Sequence, residues 1–452
     1  MYKYSDIQNR YKEKLITADE AAALVQDDDR IYFGAGYGTV RSLDEAIARR
    51  INDLHGLEII SLVNYRTDPF STYLASNGNE NVRFASTHMT AMDRQMQADG
   101  RCWYVPMQFR ELQYYWYMKE NKFDIVMLQV CPMDEWGNFN LGPQATDLVA
   151  AARNAKLVIL EVNSNMPHAH GFSNTINLAE IDYVVESDNP KLQPIPSKPA
   201  TEVDKKIAAQ VISRISSGST LQLGIGGLPN CLGKLLCDSD IRNLGGHTEM
   251  LTDAYYDLFE AGKLANRKKI LDGKLAYSFA GGSQRLIDFI DNNPMLCCCP
   301  ASYVNNVDII AEIENFVSIN SCMQVDLYGQ IAAECIGFRQ FSGTGGQLDF
   351  VMGAFKSLGG KSFICVPSTR TLKDGTMVSN ISATLPEGSV VTTPRMITNY
   401  VVTEYGAVNL KGKSTWQRAE ALISIAHPQF RDMLVKQAEK MGVWKNSSKV
   451  DW

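Results

Sequence analysis

The feature that most constrains the fold is the alternation of two kinds of segment along the chain. Short apolar runs rich in β-branched residues, each ended by a glycine or a polar residue, predict strands. These runs are DRIYFGAG, KFDIVMLQV, AKLVILEVN, STLQLGIGG, KSFICVP and NYVVTEYG. Stretches with helical period, such as SLDEAIARRINDL and DKKIAAQVISRI, lie between them. This order is typical of an α/β protein whose mostly parallel sheets are buried on both faces.

Chain length and one proline-rich stretch divide this architecture in two. A chain of 452 residues is longer than one hydrophobic core usually grows. Four prolines are concentrated in ESDNPKLQPIPSKPATE at 186–202. We therefore predict an N-terminal α/β domain over 1–190, a linker over 191–205 and a C-terminal α/β domain over 206–452.

The two halves share a local layout. DDDRIYFGAGYGTVRSLDEAI in the first half and SSGSTLQLGIGGLPNCLGKLL in the second each read as a strand, a glycine-rich turn and a helix. The sequence thus predicts two similar open α/β domains with mostly parallel sheets. Ligands of such domains bind where strand ends meet, so the active site is expected in the cleft between the domains.

The charge and hydropathy patterns exclude several partners. A net charge of −6 leaves no basic footprint for nucleic acid. The N-terminus MYKYSDIQNRYKEKL is charged throughout and lacks the apolar core of a signal peptide, and no run of 18 apolar residues occurs. We expect a cytoplasmic protein that contacts neither nucleic acid nor membrane.

The cysteine and histidine patterns do not predict a metal site. Cys297, Cys298 and Cys299 are consecutive, so their side chains point to alternate faces of a strand and fit a buried strand better than a metal cage. His168 and His170 have no cysteine or carboxylate partner at ligand spacing and are expected in a polar loop.

The glycine-rich turns fail the nucleotide fingerprints. Pro229 and Thr39 stand where GIGGLPN and GAGYGT need the third glycine of a dinucleotide-binding turn. Phe355 stands where the first glycine of a P-loop ending in GGKS is required. A serine-hydrolase G-x-S-x-G elbow is also absent from the sequence. Nucleotide-dependent chemistry and acyl transfer through serine or cysteine are therefore disfavoured.

One glutamate remains as a chemical candidate. Glu249 lies in LGGHTEMLTD at 244–253, downstream of the GIGG turn. The first turn of a helix favours an acidic residue, so a structural role is one interpretation. A carboxylate held away from water and near hydrogen-bond donors is also a nucleophile toward acyl groups. The decapeptide alone leaves both interpretations open.

Five ordered motifs carry a resemblance to a known family. They are LGIGGLPN, HTEM, NFVSINSCMQVDLYGQIAAE, SGTGGQLDFVMGA and VVTEYGAVNLKGKSTWQRAEALISIAHPQFR. Together they resemble the acetyl-CoA hydrolase/transferase branch of the family I CoA-transferases. The resemblance spans nearly the whole chain and is densest from Leu221 to Phe430. It is closest to the butyryl-CoA:acetate CoA-transferases, with 4-hydroxybutyrate CoA-transferases next.

The resemblance implies a role for particular residues. Glu249, in the H-[ST]-E-M motif, is implied to be the covalent nucleophile. Gln129, in MLQVCPMDEWGNFNLG, is implied to direct its amide toward the reacting carbonyl. The residues implied to contact the CoA thioester are Gly224, Ile225, Gly226, Gly227, Leu228, Met323, Gly346 and Lys373.

The activity implied by the resemblance is a ping-pong transfer of CoA between a short-chain acyl-CoA, butyryl-CoA first, and acetate through a γ-glutamyl-CoA thioester. CoA thioesters are then substrates, with no permanently bound cofactor and no metal, and a homodimer or higher homo-oligomer is implied. Two alternatives stay open: a transferase acting on 4-hydroxybutyrate, and an acyl-CoA hydrolase using the same glutamate. Tyr37, Tyr65, Met89 and Met92 are candidates for the acyl pocket, but no spacing fixes them there.

Overall fold

The computed structural model describes residues 6–195, 199–224 and 226–446 of the chain. These residues fall into two compact units. The first lies within Met1–Pro196 and Ala276–Val304, and the second within Ser197–Leu275 and Asn305–Trp452. The first unit ends inside the predicted linker, but it also contains 276–304, a segment that the division by sequence assigns to the second domain.

The α-helices of the described ranges are mostly short crossover helices. In chain order they are α1 Ile7–Lys14, α2 Ala18–Ala23, α3 Ser42–Ala48, α4 Ser71–Ala75, α5 Ala91–Ala98, α6 Leu112–Tyr117, α7 Leu148–Arg153, α8 Glu202–Ile212, α9 Gly227–Asp238, α10 Asp253–Glu260, α11 Gln284–Ile290, α12 Ala301–Val304, α13 Val307–Ala311, α14 Gln347–Lys356, α15 Thr415–Ser424 and α16 Pro428–Lys440.

The strands of the same ranges alternate with these helices. In chain order they are β1 Arg30–Ala35, β2 Leu57–Leu62, β3 Val82–Ser86, β4 Cys102–Tyr104, β5 Ile125–Val130, β6 Asn138–Asn140, β7 Leu157–Val162, β8 Thr175–Asn177, β9 Tyr183–Glu186, β10 Thr220–Leu223, β11 Gly245–Leu251, β12 Leu275–Ala280, β13 Leu296–Cys298, β14 Phe316–Ser321, β15 Gln324–Asp326, β16 Ile331–Ala332, β17 Cys335–Ile336, β18 Arg339–Gln340, β19 Lys361–Cys365, β20 Thr369–Thr371, β21 Met377–Ser379, β22 Ile381–Ser382, β23 Tyr400–Thr403 and β24 Gly406–Asn409.

The first unit is built on a parallel sheet of seven strands in the order β4-β3-β2-β1-β5-β7-β9. Every neighbouring pair in this sheet is parallel. Parallel neighbours require a crossover, and α3, which connects β1 to β2, supplies one. All six residues of β5 are buried, as expected for a strand covered on both faces.

The second unit repeats this layout. Its strands run in the order β11-β10-β14-β19-β23-β24, and only the pair of β23 with β24 is antiparallel. In each unit the first strand of the sheet in chain order, β1 or β10, has a neighbouring strand on both sides. Each of these strands is followed by a glycine-rich turn and a helix. The predicted α/β class and the mostly parallel sheets are confirmed, and the six quoted apolar runs each contain a strand.

Buried aliphatic and aromatic side chains hold each unit together. The core of the first unit includes Ile31, Phe33, Ile59 and Phe84 from three adjacent strands. The core of the second unit includes Val325, Ile364, Val401 and Leu422. Each fully buried side chain of this size contributes about 1.5–3 kcal/mol through removal of apolar area from water. The apolar runs that predict strands in the sequence therefore supply much of the buried core of each unit.

Some predicted boundaries differ from the observed ones, for local reasons. Helix α8 begins at Glu202, inside the predicted linker, because Thr201 and Asp204 form a reciprocal capping box. The GGKS segment leads from α14 into β19 rather than from a strand into a helix, so it lacks the geometry of a P-loop. Cys297 and Cys298 are buried in β13, as predicted, and Cys299 is buried directly after the strand ends.

In the part of the chain that the structure describes, no helix has the length and apolar character needed to cross a membrane. The same ranges hold no group of three or more histidine, cysteine, aspartate and glutamate side chains arranged to bind a metal ion.

Candidate active site

Glu249 lies in a strand, not at the start of a helix. It is the fifth residue of β11, and α10 begins only at Asp253. The helix-start interpretation of Glu249 is therefore wrong, and Asp253 is the acidic residue in that first turn. Residues Thr220 and Leu221 pair with Gly245 and Gly246. Glu249 thus comes directly after the level at which β10 ends, at the carboxyl edge of the sheet where ligands of α/β proteins bind.

The Glu249 carboxylate is held by one short hydrogen bond. Asn305 Nδ2 donates to Glu249 Oε2 at 2.6 Å. Asn305 lies just before α13, and its side chain is fully buried. Glu249 as a residue is only partly buried. The candidate nucleophile is therefore held by a buried amide on a residue that keeps some exposure to solvent.

Gly346 leaves the space that the Glu249 carboxylate occupies. It is the N-cap residue of α14. A Cβ atom added there would lie 2.0 Å from Glu249 Oε2 and 2.3 Å from Asn305 Nδ2. Both distances are far shorter than any real contact, so only glycine fits beside this pair. Gly346 of the SGTGGQLDF motif thus contributes to the site because it has no side chain.

Burial dominates the electrostatics of Glu249. Loss of hydration raises the pKa of Glu249 to about 8, the hydrogen bond from Asn305 opposes this rise, and the negative charge of Asp349 adds to it. An ionised carboxylate in these surroundings is poorly solvated and correspondingly reactive.

Asp349 is a second carboxylate behind the first. It lies in the first turn of α14 and is fully buried. Its Oδ2 atom accepts a long hydrogen bond, 3.5 Å, from the same Asn305 Nδ2 that contacts Glu249. One amide group therefore lies between two carboxylates.

The turn between β10 and α9 offers open backbone near the level of Glu249. Gly226 has φ of 116°, a conformation that favours glycine, and it is the N-cap of α9. Cβ atoms added at Gly224 or Gly226 would have no neighbour within 4 Å, so a ligand can approach this backbone closely. Gly227 and Leu228 begin α9, and Leu228 is buried. Ile225 lies outside the described residues.

The remaining predicted CoA contacts also belong to the second unit. Met323 follows β14, is partly buried and donates its backbone N–H to Ala332. Lys373 is exposed in the turn between β20 and β21. Their contact with CoA stays a prediction.

Gln129 belongs to the first unit, where its amide is part of a buried network. Its Nε2 donates to Thr39 O and to Glu161 Oε1, both at 3.3 Å, while Asn163 Nδ2 donates to its Oε1 at 2.6 Å. Burial raises the pKa of Glu161, whose carboxylate accepts the backbone N–H of Leu43 at the start of α3. The predicted role of Gln129 at the reacting carbonyl stays a prediction.

Gln129 also lines a pocket of the first unit. The other residues of its lining are Gly36, Tyr37, Thr39, Arg41, Tyr65, Arg66, Pro190, Lys191, Leu192 and Gln193. Two of the four acyl-pocket candidates, Tyr37 and Tyr65, therefore reach a pocket. The other two, Met89 and Met92, are buried in the core of the first unit.

Asn305 and Asp349 are the site residues that sequence reasoning missed. Asp349 occurs in the SGTGGQLDF motif, but an acidic residue three positions after an N-cap is also an ordinary feature of a helix start. Asn305 lies 56 residues from Glu249, and no local signal links the two. Only the tertiary structure places Glu249 of β11 beside Asn305, which precedes α13, and beside the start of α14.

Comparison with known proteins agrees with this architecture. Residues 1–196 match the family model of the acetyl-CoA hydrolase/transferase N-terminal domain, and residues 282–438 match that of the C-terminal domain. The chain belongs to the acetyl-CoA hydrolase/transferase family, and it is an enzyme of the CoA-transferase class. The resemblance seen in the sequence motifs is confirmed.

Individual relatives cover nearly the whole chain. The chain is 43% identical to the butyryl-CoA:acetate CoA-transferase of Anaerostipes caccae over 98% of this chain and 99% of the relative. It is 40% identical to the 4-hydroxybutyrate coenzyme A transferase of Clostridium kluyveri over 95% of this chain and 98% of that one. The solved structure of RipA from Yersinia pestis superposes with a TM-score of 0.87 at 34% identity, covering 97% of this chain and 100% of RipA.

Proposed function

We propose that the enzyme moves CoA from a short-chain acyl-CoA, butyryl-CoA in the first place, to acetate, with Glu249 as the covalent nucleophile. The observation that carries the proposal is the Glu249 carboxylate itself. It belongs to a partly buried residue at the carboxyl edge of the sheet, is held by the Asn305 amide and is given room by Gly346. The similarity to a butyryl-CoA:acetate CoA-transferase supports the choice of substrates.

The first half-reaction transfers CoA to the enzyme. One oxygen of Glu249 adds to the thioester carbonyl carbon, and departure of the CoA thiolate leaves a mixed anhydride. The thiolate then adds to the glutamyl carbonyl carbon, and the acyl group leaves as a carboxylate. Glu249 now carries CoA as a γ-glutamyl thioester. The free energy of the original thioester bond is retained in this new thioester bond.

The second half-reaction runs the same steps backwards with acetate. Acetate adds to the glutamyl thioester, the CoA thiolate departs, and the thiolate then attacks the acetyl carbonyl of the new anhydride. Acetyl-CoA leaves and the Glu249 carboxylate is restored. Every bond broken is replaced by one of similar energy, so the cycle needs no further energy source.

Asn305 supports the steps at the glutamyl carbonyl. When one Glu249 oxygen forms the new bond, Oε2 stays hydrogen-bonded to Asn305 Nδ2 and becomes the carbonyl oxygen. Addition of the thiolate puts negative charge on this oxygen, where a fixed donor stabilises the transition state. Such a donor is typically worth about 3 kcal/mol of barrier.

Substrate assays test the choice of acyl group. The purified protein is assayed with butyryl-CoA, propionyl-CoA and 4-hydroxybutyryl-CoA, each against acetate, and butyryl-CoA is expected to give the highest kcat/KM. A preference for 4-hydroxybutyryl-CoA would make that acid the physiological partner, in line with the Clostridium kluyveri relative. Loss of acyl-CoA at an equal rate without acetate would identify a hydrolase instead.

A substitution and a chemical trap test the nucleophile. Glu249→Gln keeps the size of the side chain and removes the nucleophile, so transfer should fall to background while CoA still binds. Borohydride added to wild-type enzyme with acyl-CoA should reduce the glutamyl thioester to an alcohol at Glu249, which peptide mass spectrometry detects.

Glu404→Gln is the matched control for this experiment. Glu404 is another partly buried glutamate of the second unit, and its carboxylate accepts the backbone N–H of Ser368 at 2.9 Å. The Glu404 variant should transfer CoA at the wild-type rate. Transfer by Glu249→Gln, or a reduced residue elsewhere in the chain, would refute Glu249 as the nucleophile.

A further inference from the structure

The amide of Asn305 has a second carboxyl neighbour, Asp349, which forms no covalent bond in the proposed cycle. Nδ2 has two hydrogens: one is donated to Glu249 Oε2 at 2.6 Å and the other points to Asp349 Oδ2 at 3.5 Å. In the described part of the chain, Asn305 Oδ1 is buried and has no hydrogen-bond partner. The orientation of this amide therefore depends on the two carboxylates that face its nitrogen.

One of these two carboxylates, that of Glu249, is converted to a neutral acyl group in the course of the proposed reaction. As the anhydride and as the thioester, Glu249 is neutral, and its Oε2 is a weaker acceptor than a carboxylate oxygen. With Glu249 as its sole partner, the Asn305 side chain would lose much of its orientation at the stage where its N–H group must stabilise the oxyanion. Rotation of the amide would direct Oδ1 at the developing negative charge and raise the barrier.

We propose that Asp349 is a positioning residue that keeps Asn305 Nδ2 directed at Glu249 while Glu249 is acylated. The inference rests on the proposed function, because it needs Glu249 as the covalent nucleophile. Asp349 is fully buried in the first turn of α14, three residues after Gly346, so its carboxylate is fixed by the same helix start that borders Glu249. The N-terminal end of a helix favours a carboxylate, and Asp349 Oδ2 is placed there to accept from Asn305 Nδ2.

A structural role is the alternative, since an acidic residue in a first turn stabilises its helix. The two roles differ in what they change. A purely structural Asp349 affects the stability of the protein and leaves turnover of the folded enzyme intact. A positioning Asp349 affects kcat through Asn305, and its effect vanishes when Asn305 is removed.

The test is a double-mutant cycle in which kcat of each variant is taken from the high-pH plateau of its own pH profile, so that Glu249 is ionised in every variant compared. Asp349→Asn should lower kcat by roughly 10-fold or more with little change in KM for acyl-CoA, because misdirection of a catalytic group by about 1 Å costs up to roughly 100-fold. In an Asn305→Ala background the same substitution should change kcat by less than about 2-fold. Equal effects in both backgrounds, or no effect on kcat, would overturn the proposal.

The pH dependence provides an independent readout. Asp349 is the carboxylate whose charge adds to the raised pKa of Glu249. Asp349→Asn should therefore move the acid limb of kcat/KM to lower pH while the plateau of kcat falls. Loss of helix stability alone would leave the position of the acid limb unchanged, and an unchanged limb counts against the proposal.

Three controls complete the design. Asp308→Asn removes an acidic first-turn residue of α13 that is exposed and pairs with Lys356, and it should leave kcat unchanged. Asp349→Ser, which keeps a short polar side chain without charge, replaces Asp349→Asn if the latter does not fold. Borohydride trapping at Glu249 is repeated in each variant: failure to label wild-type enzyme refutes the proposed function, whereas labelling with unchanged kcat in the Asp349 variants refutes only the role of Asp349.

Discussion

Replacing Gly346 with alanine changes the candidate site by a single methyl group. The φ of Gly346 is −96°, which alanine adopts without strain, so the backbone of α14 does not need to move for conformational reasons. The new Cβ atom would lie 2.0 Å from Glu249 Oε2, at least about 1 Å closer than real Cβ contacts. Either the Glu249 carboxylate or the helix start must shift by this amount. A displacement of about 1 Å at a reacting group costs up to roughly 100-fold in rate.

The expected result for Gly346→Ala is a loss of kcat of about 100-fold in the butyryl-CoA and acetate assay. CoA binding, measured by isothermal titration calorimetry, should change far less than kcat. The reason is that the shift forced by the methyl group falls on the Glu249 carboxylate. Borohydride trapping with acyl-CoA should show slow accumulation of the Glu249 thioester in single-turnover experiments.

Gly353→Ala separates this effect from general crowding of the same helix. A Cβ atom at Gly353 would lie 2.4 Å from Ile310, in the hydrophobic packing of α14 and away from Glu249. Overpacking of this kind typically costs about 1–3 kcal/mol of stability. Gly353→Ala should lower the thermal unfolding temperature and leave kcat near wild type. Wild-type turnover by Gly346→Ala, or equal losses of kcat in the two variants, would show that space beside Glu249 does not limit the reaction.

Two predictions concern the pH dependence of wild-type enzyme. In the proposed mechanism Glu249 attacks as a carboxylate, and its pKa is raised to about 8, so kcat/KM for acyl-CoA should rise with pH through this value; a profile already flat from pH 6 to 9 would contradict the raised pKa. Because the folded protein binds this proton more tightly than the unfolded chain, stability is full below about pH 4.5 and falls as pH rises through about 8. The unfolding temperature of wild type should therefore fall relative to that of Glu249→Gln over this range, and a constant difference measured by differential scanning calorimetry would contradict it.

Local sequence patterns predict most of the strands and the layout of the two sheets. The period of apolar residues predicts the strands β1, β5, β7, β10, β19 and β23, because burial on both faces of a parallel sheet demands continuous apolar runs. The repeated order of strand, glycine-rich turn and helix predicts two similar sheets. The inclusion of 276–304 in the first unit was not predictable in this way, since contacts between distant segments determine it.

The candidate site was predictable only in part. The motifs HTEM and SGTGGQLDF indicate Glu249 and Gly346, and the glycines of GIGG predict a turn. Local reasoning about Glu249 gave a helix start where the structure has a strand, because an acidic residue between small and polar neighbours fits both. The partners Asn305 and Asp349 carried no signal of comparable strength.

The sequence by itself determined the alternation of strands and helices, the positions where backbone without side chains is needed, and the residue types available for acyl chemistry. These properties depend on neighbours a few residues apart. The tertiary structure decided which groups meet. Asn305 lies 56 residues after Glu249 and 44 before Asp349, and the three side chains come together only because the tertiary packing places these distant segments side by side. The reactivity of a buried carboxylate depends on dehydration, on one aimed amide and on a second charge, and all three are properties of that packing.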